Sequence, residues 1–452
     1  MNTISEIISF RNINNEQVAA IFAQSDAPSI FDYEDVKPKY IKKGYRGYVP
    51  WGEDNELPYQ LVEKIRKDEV MASNMWFNIC TAYGRGFTYT NPDGTQVTDE
   101  SIRYFFRRNN MIKFWVEQFT DIKHFYFAVM LIVLDRAGDK IVKVKHVDNI
   151  NVRFETVDSK TGRIENIFVG PWNDNPIDSN VSAYPVLDEN DPVGDLMVRM
   201  GKDPDPMTGK KNMPTKDRVF AVVSKIPTPG NKYYPFPYYA STFQSGWADL
   251  KASIPEAKIA RMKNGMQIKY QVELHKDYFS NIFKEENITS EADKKNRKKK
   301  EIQNITNFLS GQDNQNKSWM SMYYIDPNGR EQRMVRINVI ANQKEGGEYI
   351  EDSEEASNII SYAMGVHPSL IGASPGKNKN LSGTEARELF TMKQALEKLT
   401  RDMLLIPFEV LNDYNGWNLV YSIPDLMLTT LDKGTDAVIS TVNTNKNDTD
   451  NA

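Results

Sequence analysis

Sulfur and imidazole are scarce in this chain. Its 452 residues include one cysteine, Cys80, and four histidines. A disulfide framework within the chain is therefore excluded, and a reducing compartment suits the composition. Four scattered histidines supply neither an H-E-x-x-H pair nor a Cys/His zinc set. Cys80 lies in the apolar run Met75-Trp-Phe-Asn-Ile-Cys80 and is expected to be a buried structural thiol. His146 has no second ligand at metal spacing and is expected to be packed or solvent-facing.

A basic excess is also missing. Lys and Arg number 56 against 61 Asp and Glu, for a net charge of −5. Proteins that grip duplex DNA tightly usually carry the opposite balance. If this chain handles DNA it should do so loosely, as a conduit and not a clamp. Long apolar runs are absent as well. The longest, Phe125–Leu134, has 10 residues, and a bilayer span needs about 20. The opening MNTISEIISF lacks a basic segment followed by an apolar core, so no secretion signal is expected and the chain should be cytosolic when made. No G-x-S-x-G elbow or dinucleotide glycine motif follows a strand. The stretch Gly372-Ala-Ser-Pro-Gly376-Lys377-Asn378 fails as a phosphate loop. It has three residues between its glycines where four are needed, and Asn378 stands where a magnesium-binding hydroxyl belongs. The acidic pairs Glu351-Asp352 and Glu354-Glu355 head a helix, where the macrodipole favours them. No catalytic residue, metal site or cofactor is expected.

What the chain does have is a helix, a glycine-rich loop and a second helix over residues 349–404. Gly365 and Pro368 should end the first helix. Ser382-Gly-Thr-Glu385 reads as a capping box opening the second. Leu389, Met392, Leu396, Leu399 and Met403 then recur at steps of three and four, placing one apolar stripe on one face. The polar loop between carries Lys377, Asn378, Lys379 and Asn380.

Earlier in the chain, Lys42-Lys-Gly-Tyr-Arg-Gly-Tyr48 reads as an extended arm packing on a neighbour, with a nucleic-acid contact as the lesser alternative. Leu57, Leu61 and Ile65 mark a helix, and a second follows over 71–83. An aromatic-rich helix is expected at 99–122. Phe125–Leu134, Ile141–Val147, Val152–Val157 and Ile164–Val169 are predicted strands of an antiparallel meander. Residues 171–214, rich in Pro, Asp and Asn, read as loops with a short strand or two. A strand at Arg218–Ser224 precedes a helix presenting Phe243, Trp247, Leu250 and Ile254, which Pro255 kinks or restarts. Asn264-Gly265 should cap it, before a strand at Gln267–Leu274. The run Lys294, Lys295, Arg297, Lys298, Lys299 and Lys300 is either a partner-facing patch or a solvated helix start whose Ile302, Ile305, Phe308 and Leu309 pack. Trp319–Ile325 and Gln332–Ile340 are predicted to pair across Asn328-Gly329. Leu404–Leu411 reads as a separate short helix and Leu419–Ile423 as a strand. The last twenty or so residues have a disordered composition.

The order of these parts resembles the portal proteins of tailed bacteriophages. The most specific pieces are Gly365-Val-His-Pro-Ser-Leu-Ile-Gly372, where the family commonly has Val-Pro-Pro in place of Val366-His367-Pro368; Ser382-Gly-Thr-Glu-Ala-Arg387; and Asn264-Gly265 after a long helix. The start, Trp51…Asp54-Asn55…Leu57-Pro58 through Tyr83-Gly-Arg-Gly-Phe87, fits the same order.

The resemblance implies an α+β portal fold. Its parts would be an N-terminal arm (1–50), an antiparallel β wing (51–237), stem helices (238–262 and 346–365), an α+β clip (263–345), a tunnel loop (366–383), wing and crown-side helices (384–430) and a tail (431–452). It implies a homo-oligomeric ring, twelve-fold in the family, at one capsid vertex of the virion, assembled in the host cytoplasm. Double-stranded DNA would pass through without sequence-specific contact, touched by Lys377, Asn378, Lys379 and Asn380. Trp247, Leu250, Ile254, Leu389, Leu396 and Leu399 would pack the ring. Lys294 to Lys300 would meet the large terminase subunit and then tail adaptor proteins. Major capsid and scaffolding proteins are the other implied partners, and no membrane is. Another phage ring, an adaptor or baseplate component, is the alternative; a nucleic-acid enzyme with an unrecognised acidic site is a more distant one.

Overall fold

A computed structural model describes residues 5–11, 17–23, 37–159, 161–173, 176–206, 208–264, 270–310, 323–325, 327–329, 331–339, 348–371 and 383–428. The chain divides into two compact units, one of residues 1–250 and 354–452 and one of residues 251–353. As the resemblance implied, the class is α+β.

The first unit opens with a strand pair, β1 (Ser5–Arg11) and β2 (Gln17–Ala23), joined antiparallel. Helices α1 (Leu57–Lys67) and α2 (Glu69–Tyr83) follow. Asp68 separates them and caps α2 by accepting from the amides of Val70 and Met71. A short strand β3 (Thr88–Thr90) leads to α3 (Glu100–Arg108) and α4 (Met111–Phe125). The single helix expected at 99–122 is thus two. Asn110 takes a left-handed conformation and caps α4. The Asn109 side chain accepts from the amide of Val144, which holds the corner in place. Asn is among the few residues that adopt this conformation at low cost.

Strand β4 (Phe127–Leu134) is the centre of a three-stranded sheet between β5 (Ile141–Val147) and β9 (Val219–Lys225). Its near-continuous apolar sequence follows from burial on both faces. Ala128, Met130, Ile132 and Leu134 join a core with α2, α3 and α4, while Phe127, Val129 and Leu131 face a second core. The expected four-strand meander is corrected here. β6 (Val152–Phe154), β7 (Asn166–Val169) and β8 (Ser182–Pro185) form a separate sheet. Asn149 enforces the departure, its amide held by the Asp121 carboxylate.

Residues 171–214 are likewise more ordered than their composition implied. They contribute β8 and helix α5 (Pro192–Arg199), which buries Leu196. The Lys42–Tyr48 stretch is no free arm. Tyr48 is buried against Trp172, Lys42 pairs with Asp178, and Arg46 binds Asp158. The charges of Lys42 and Arg46 are thus paired within the fold.

Behind it, fully buried Arg153 donates to the carbonyls of Asn55, Ile150 and Val152 and lies over the rings of Trp51 and Trp172. This explains the Trp51–Asn55 turn. Asn55 sits at φ 69 and its side chain accepts from the amide of Trp51.

The helix expected from 238 is interrupted. After α6 (Ser241–Gln244), Gly246 takes φ +82 and α7 (Trp247–Asn264) begins anew, continuing through Pro255. α7 leads the chain out of the first unit. In the second unit, β10 (Tyr270–Leu274) precedes α8 (Tyr278–Glu285) and α9 (Glu291–Ser310). β11 (Tyr323–Ile325) pairs with β12 (Glu331–Arg333), and β13 (Val335–Val339) pairs with β10. The predicted hairpin therefore divides its second strand between two partners. On α9, Ile305 is buried but Ile302 is exposed.

α10 (Glu348–Ala363) returns the chain to the first unit. α11 (Gly383–Asn415) then runs unbroken through Pro407, absorbing the short helix expected at Leu404–Leu411. β14 (Val420–Ser422) pairs with β3 and closes the unit. Phe408 of α11 anchors it, its ring 5.0 Å from that of Trp115 and 5.1 Å from that of Phe87. No helix of the described residues is long and apolar enough to cross a membrane.

Candidate assembly and channel surfaces

The end of α10 is fixed by backbone geometry. Gly365 adopts φ +64. Its amide donates to Tyr362 O at 2.9 Å and that of Val366 to Ser361 O at 3.0 Å. This paired closure satisfies carbonyls that a helix end leaves open. Val366 is buried, and Pro368–Leu370 make one 3-10 turn. Lys377, Asn378, Lys379 and Asn380, with Ser382 of the expected capping box, lie outside the described residues.

α11 resumes the chain with an unusual division of its surface. The stripe read from the sequence does share one face, but the face is turned outward. Leu396 is 72 % exposed, Met392 64 % and Leu399 60 %, while Leu389 and Met403 are half-buried. The inward face carries Lys393, Gln394, Glu397, Thr400 and Arg401, all buried.

Each of these finds a partner. Glu397, 1 % exposed, pairs with Lys123 of α4 and at 2.9 Å with Lys393. Lys123 also reaches Thr400 Oγ1 at 3.2 Å, and Lys393 donates to the carbonyl of Gly365 at 3.3 Å. Arg401 donates to the carbonyls of Thr81 and Ala82 at 2.7 and 2.8 Å, and Gln394 to Thr81 O at 3.2 Å. Arg401 further pairs with Asp425. Two helix C-termini, those of α2 and α10, thus receive donors from α11. Cationic and amide side chains are favoured there by the unpaired carbonyls and the dipole. That requirement puts charge inside and leaves the apolar stripe outside.

α2 is held from the other side by Asn74, which donates to Ser361 Oγ at 3.0 Å, and Asn78, which donates to Met364 O at 2.9 Å. Its opposite side is open. Trp76 is 61 % exposed and Cys80, one turn on, is exposed too. The expectation of a buried thiol fails because Met71, Met75, Ile79 and Ala82 take the inward positions of this helix. Burial still raises the Cys80 thiol above its ordinary value.

The other residues singled out are dispersed. On α7, Trp247 is half-buried, Leu250 exposed and Ile254 buried. On α9, the basic run is partly spent inside the unit. Arg297 binds Glu286 through two nitrogens and Glu301 at 2.7 Å, Lys294 pairs with Glu291, and Lys298 lies over Phe279. Lys295, Lys299 and Lys300 are exposed.

His146 is packed, as expected. Its Nδ1 is 2.9 Å from Gln118 Nε2, and its Nε2 is 3.3 Å from Asp121. The Gln118 amide nitrogen Nε2 can only donate, so Nδ1 accepts and, in the neutral ring, Nε2 carries the proton toward Asp121. Burial depresses the imidazole to about 4.

No protein-family model matches the sequence, and no curated protein does. Solved structures do match in fold. A chain of the neck of the empty gene transfer agent (GTA) particle, computed with C6 symmetry, aligns with TM-score 0.55 at 12 % identity, over 84 % of this chain and 86 % of that one. One from the neck of the native particle, computed with C12 symmetry, gives 0.53 at 12 % over the same shares. One from the virion of the native particle gives 0.52 at 11 %, again over 84 % and 86 %. What the likeness shows is the fold, one shared with chains of the neck and virion of the gene transfer agent particle.

Proposed function

We propose that this chain is the subunit of a portal ring, a head-to-tail connector at one capsid vertex through which double-stranded DNA is packaged and ejected. The observation that carries the reading is the fold likeness, over most of both chains, to a component of a particle neck of C12 symmetry. The outward apolar stripe of α11 supports it, because a contiguous exposed apolar face marks an interaction surface. Leu389, Leu396 and Leu399, with Trp247 and Leu250, are assigned to packing between subunits; Ile254 is buried within its own chain and is taken up there instead.

The role is passive. The glycine-rich stretch at 372–378 does not match a phosphate loop, so in this reading an external ATPase, the large terminase subunit, drives the DNA. Lys377 and Lys379, with Asn378 and Asn380, touch phosphates without reading bases, since backbone contacts carry no sequence information. The exposed Lys295, Lys299 and Lys300 are the part of the basic run available for docking terminase and then tail adaptors. Capsid and scaffolding proteins complete the partners, and the mature location is the virion. Imaging of the purified protein by negative stain tests the reading. Rings with a central channel are expected; a population of single chains at micromolar concentration would reject it.

A further inference from the structure

Two exposed apolar patches of the first unit, Trp76 on α2 and the Met392–Leu396–Leu399 stripe on α11, each face away from the neighbouring helix that their own helix is bonded to. From Arg401 and Gln394, which reach α2, to the stripe is about half a turn around α11 at ~100° per residue. From Asn74 and Asn78, which face α10, to Trp76 is again about half a turn around α2. Each helix is pinned by its inward side chains, so both patches are presented on fixed backbone. Neither carries a charge. Around Trp76 the outward positions of α2 are Ala72, Ser73 and Cys80, small residues that leave the indole projecting alone. Among the described residues Trp76 is the one exposed tryptophan, and tryptophan is over-represented where an interface draws most of its energy.

A ring with a rotational axis needs this arrangement. Its contacts are heterologous, joining two different patches of the same subunit in head-to-tail order. Resting on the portal-ring reading, we infer that Trp76 of one copy seats on the Met392–Leu396–Leu399 stripe of the next, and that this pair is a repeating seam of the ring. The occupant is a second copy of this chain.

Cys80 supplies the test, being the chain's one thiol and one turn from Trp76. A Leu396→Cys variant is assembled and treated with a short bis-maleimide. A ladder of cross-linked species extending to the full ring is expected on denaturing gels, abolished when Cys80→Ser is added. Trp76→Asp should elute as a single chain with the far-UV spectrum and melting temperature of unassembled wild type, and Trp76→Phe should still form rings. Products that stop at a dimer, or rings in which the thiol at 396 stays freely reactive, overturn the inference. So do Trp76→Asp rings as abundant as wild type. Protection at 396 that vanishes on deleting residues 429–452, with rings intact, would assign the stripe to the chain's own end and also overturn it. In those cases the wild-type ring survives; a wild type that never assembles sinks the ring reading itself.

Discussion

Lys123 and Glu397, 274 positions apart, form an ion pair in the interior of the first unit. The pair ties α4 to α11. Through Lys393, the same carboxylate is linked to the carbonyl of Gly365, from which the chain leaves for residues 372–382. One buried carboxylate therefore fixes three helix positions at the base of the segment assigned to the DNA channel.

Replacing Glu397 by Ala leaves two buried ammonium groups without their counter-charge. Breaking a buried pair by removing one partner costs about 3–5 kcal/mol. A fall of that order is expected in urea unfolding of Glu397→Ala, with a smaller loss for Glu397→Gln. A change under about 0.5 kcal/mol, the usual range for surface sites, would show that the network contributes nothing to stability.

The same residue predicts a pH response. Burial alone would raise the Glu397 carboxyl, but Lys123 and Lys393 outweigh it and hold the group below the ordinary glutamate range. A carboxyl lowered on folding adds stability that is complete above its unfolded value, about 4.3. That stability is lost as pH falls through the lower folded value. Wild type should therefore lose stability in acid below about pH 4 more steeply than Glu397→Gln. Parallel profiles for the two proteins would reject the assignment.

Legibility in the sequence followed the range of the interactions. The stop at Gly365 was readable because a left-handed helix end is a local demand for glycine. Strand β4 was readable because burial on both faces writes an unbroken apolar run. β9 was readable as a strand, at Arg218–Ser224, but its place beside β4 was not, since nothing local announces a pairing across an intervening sheet and α5. α5 itself had a usable signal, Asp191-Pro192 as cap and first turn, submerged in a Pro- and Asp-rich stretch.

The α11 stripe was readable as a stripe and unreadable as to side. Periodicity identifies an apolar face, but the carbonyls of Thr81, Ala82 and Gly365 decide that Arg401, Gln394 and Lys393 go inward. The residues that could have warned of this are the ones set at the same helical spacing on the other face: Lys393, Glu397 and Arg401.

Gly365→Ala should lower stability by about 1–2 kcal/mol, the cost of a left-handed conformation for a residue with a Cβ. No heavy atom lies within 4 Å of the added methyl, so sterics contribute nothing further. Gly365→Asn should cost less, because Asn enters that region more readily. Equal losses for Ala and Asn in thermal melts would mean the cost is not conformational.

In the second unit, Arg297 and its lysine neighbours should separate by role. Arg297 staples α9 to Glu286 just past α8 and to Glu301, and planar two-point contacts of this kind are not replaced by lysine. Arg297→Lys should lower the melting temperature of this unit. The triple variant Lys295→Ala, Lys299→Ala, Lys300→Ala should leave it unchanged and weaken binding to the large terminase subunit. A melting shift in the triple variant equal to that of Arg297→Lys would remove the distinction.

The lysines of the 372–382 segment offer the sharpest test of channel function. Phosphate contacts that permit sliding must be weak and salt-dependent. Lys377→Ala combined with Lys379→Ala should therefore leave ring formation intact, because ring packing is assigned to α2, α7 and α11. The double variant should change how much DNA is packaged or retained, with the difference from wild type shrinking as salt rises, since each lost phosphate contact reduces the salt slope by about one unit. Packaging and retention equal to wild type at low salt would remove these lysines from the DNA path while leaving the ring itself in place.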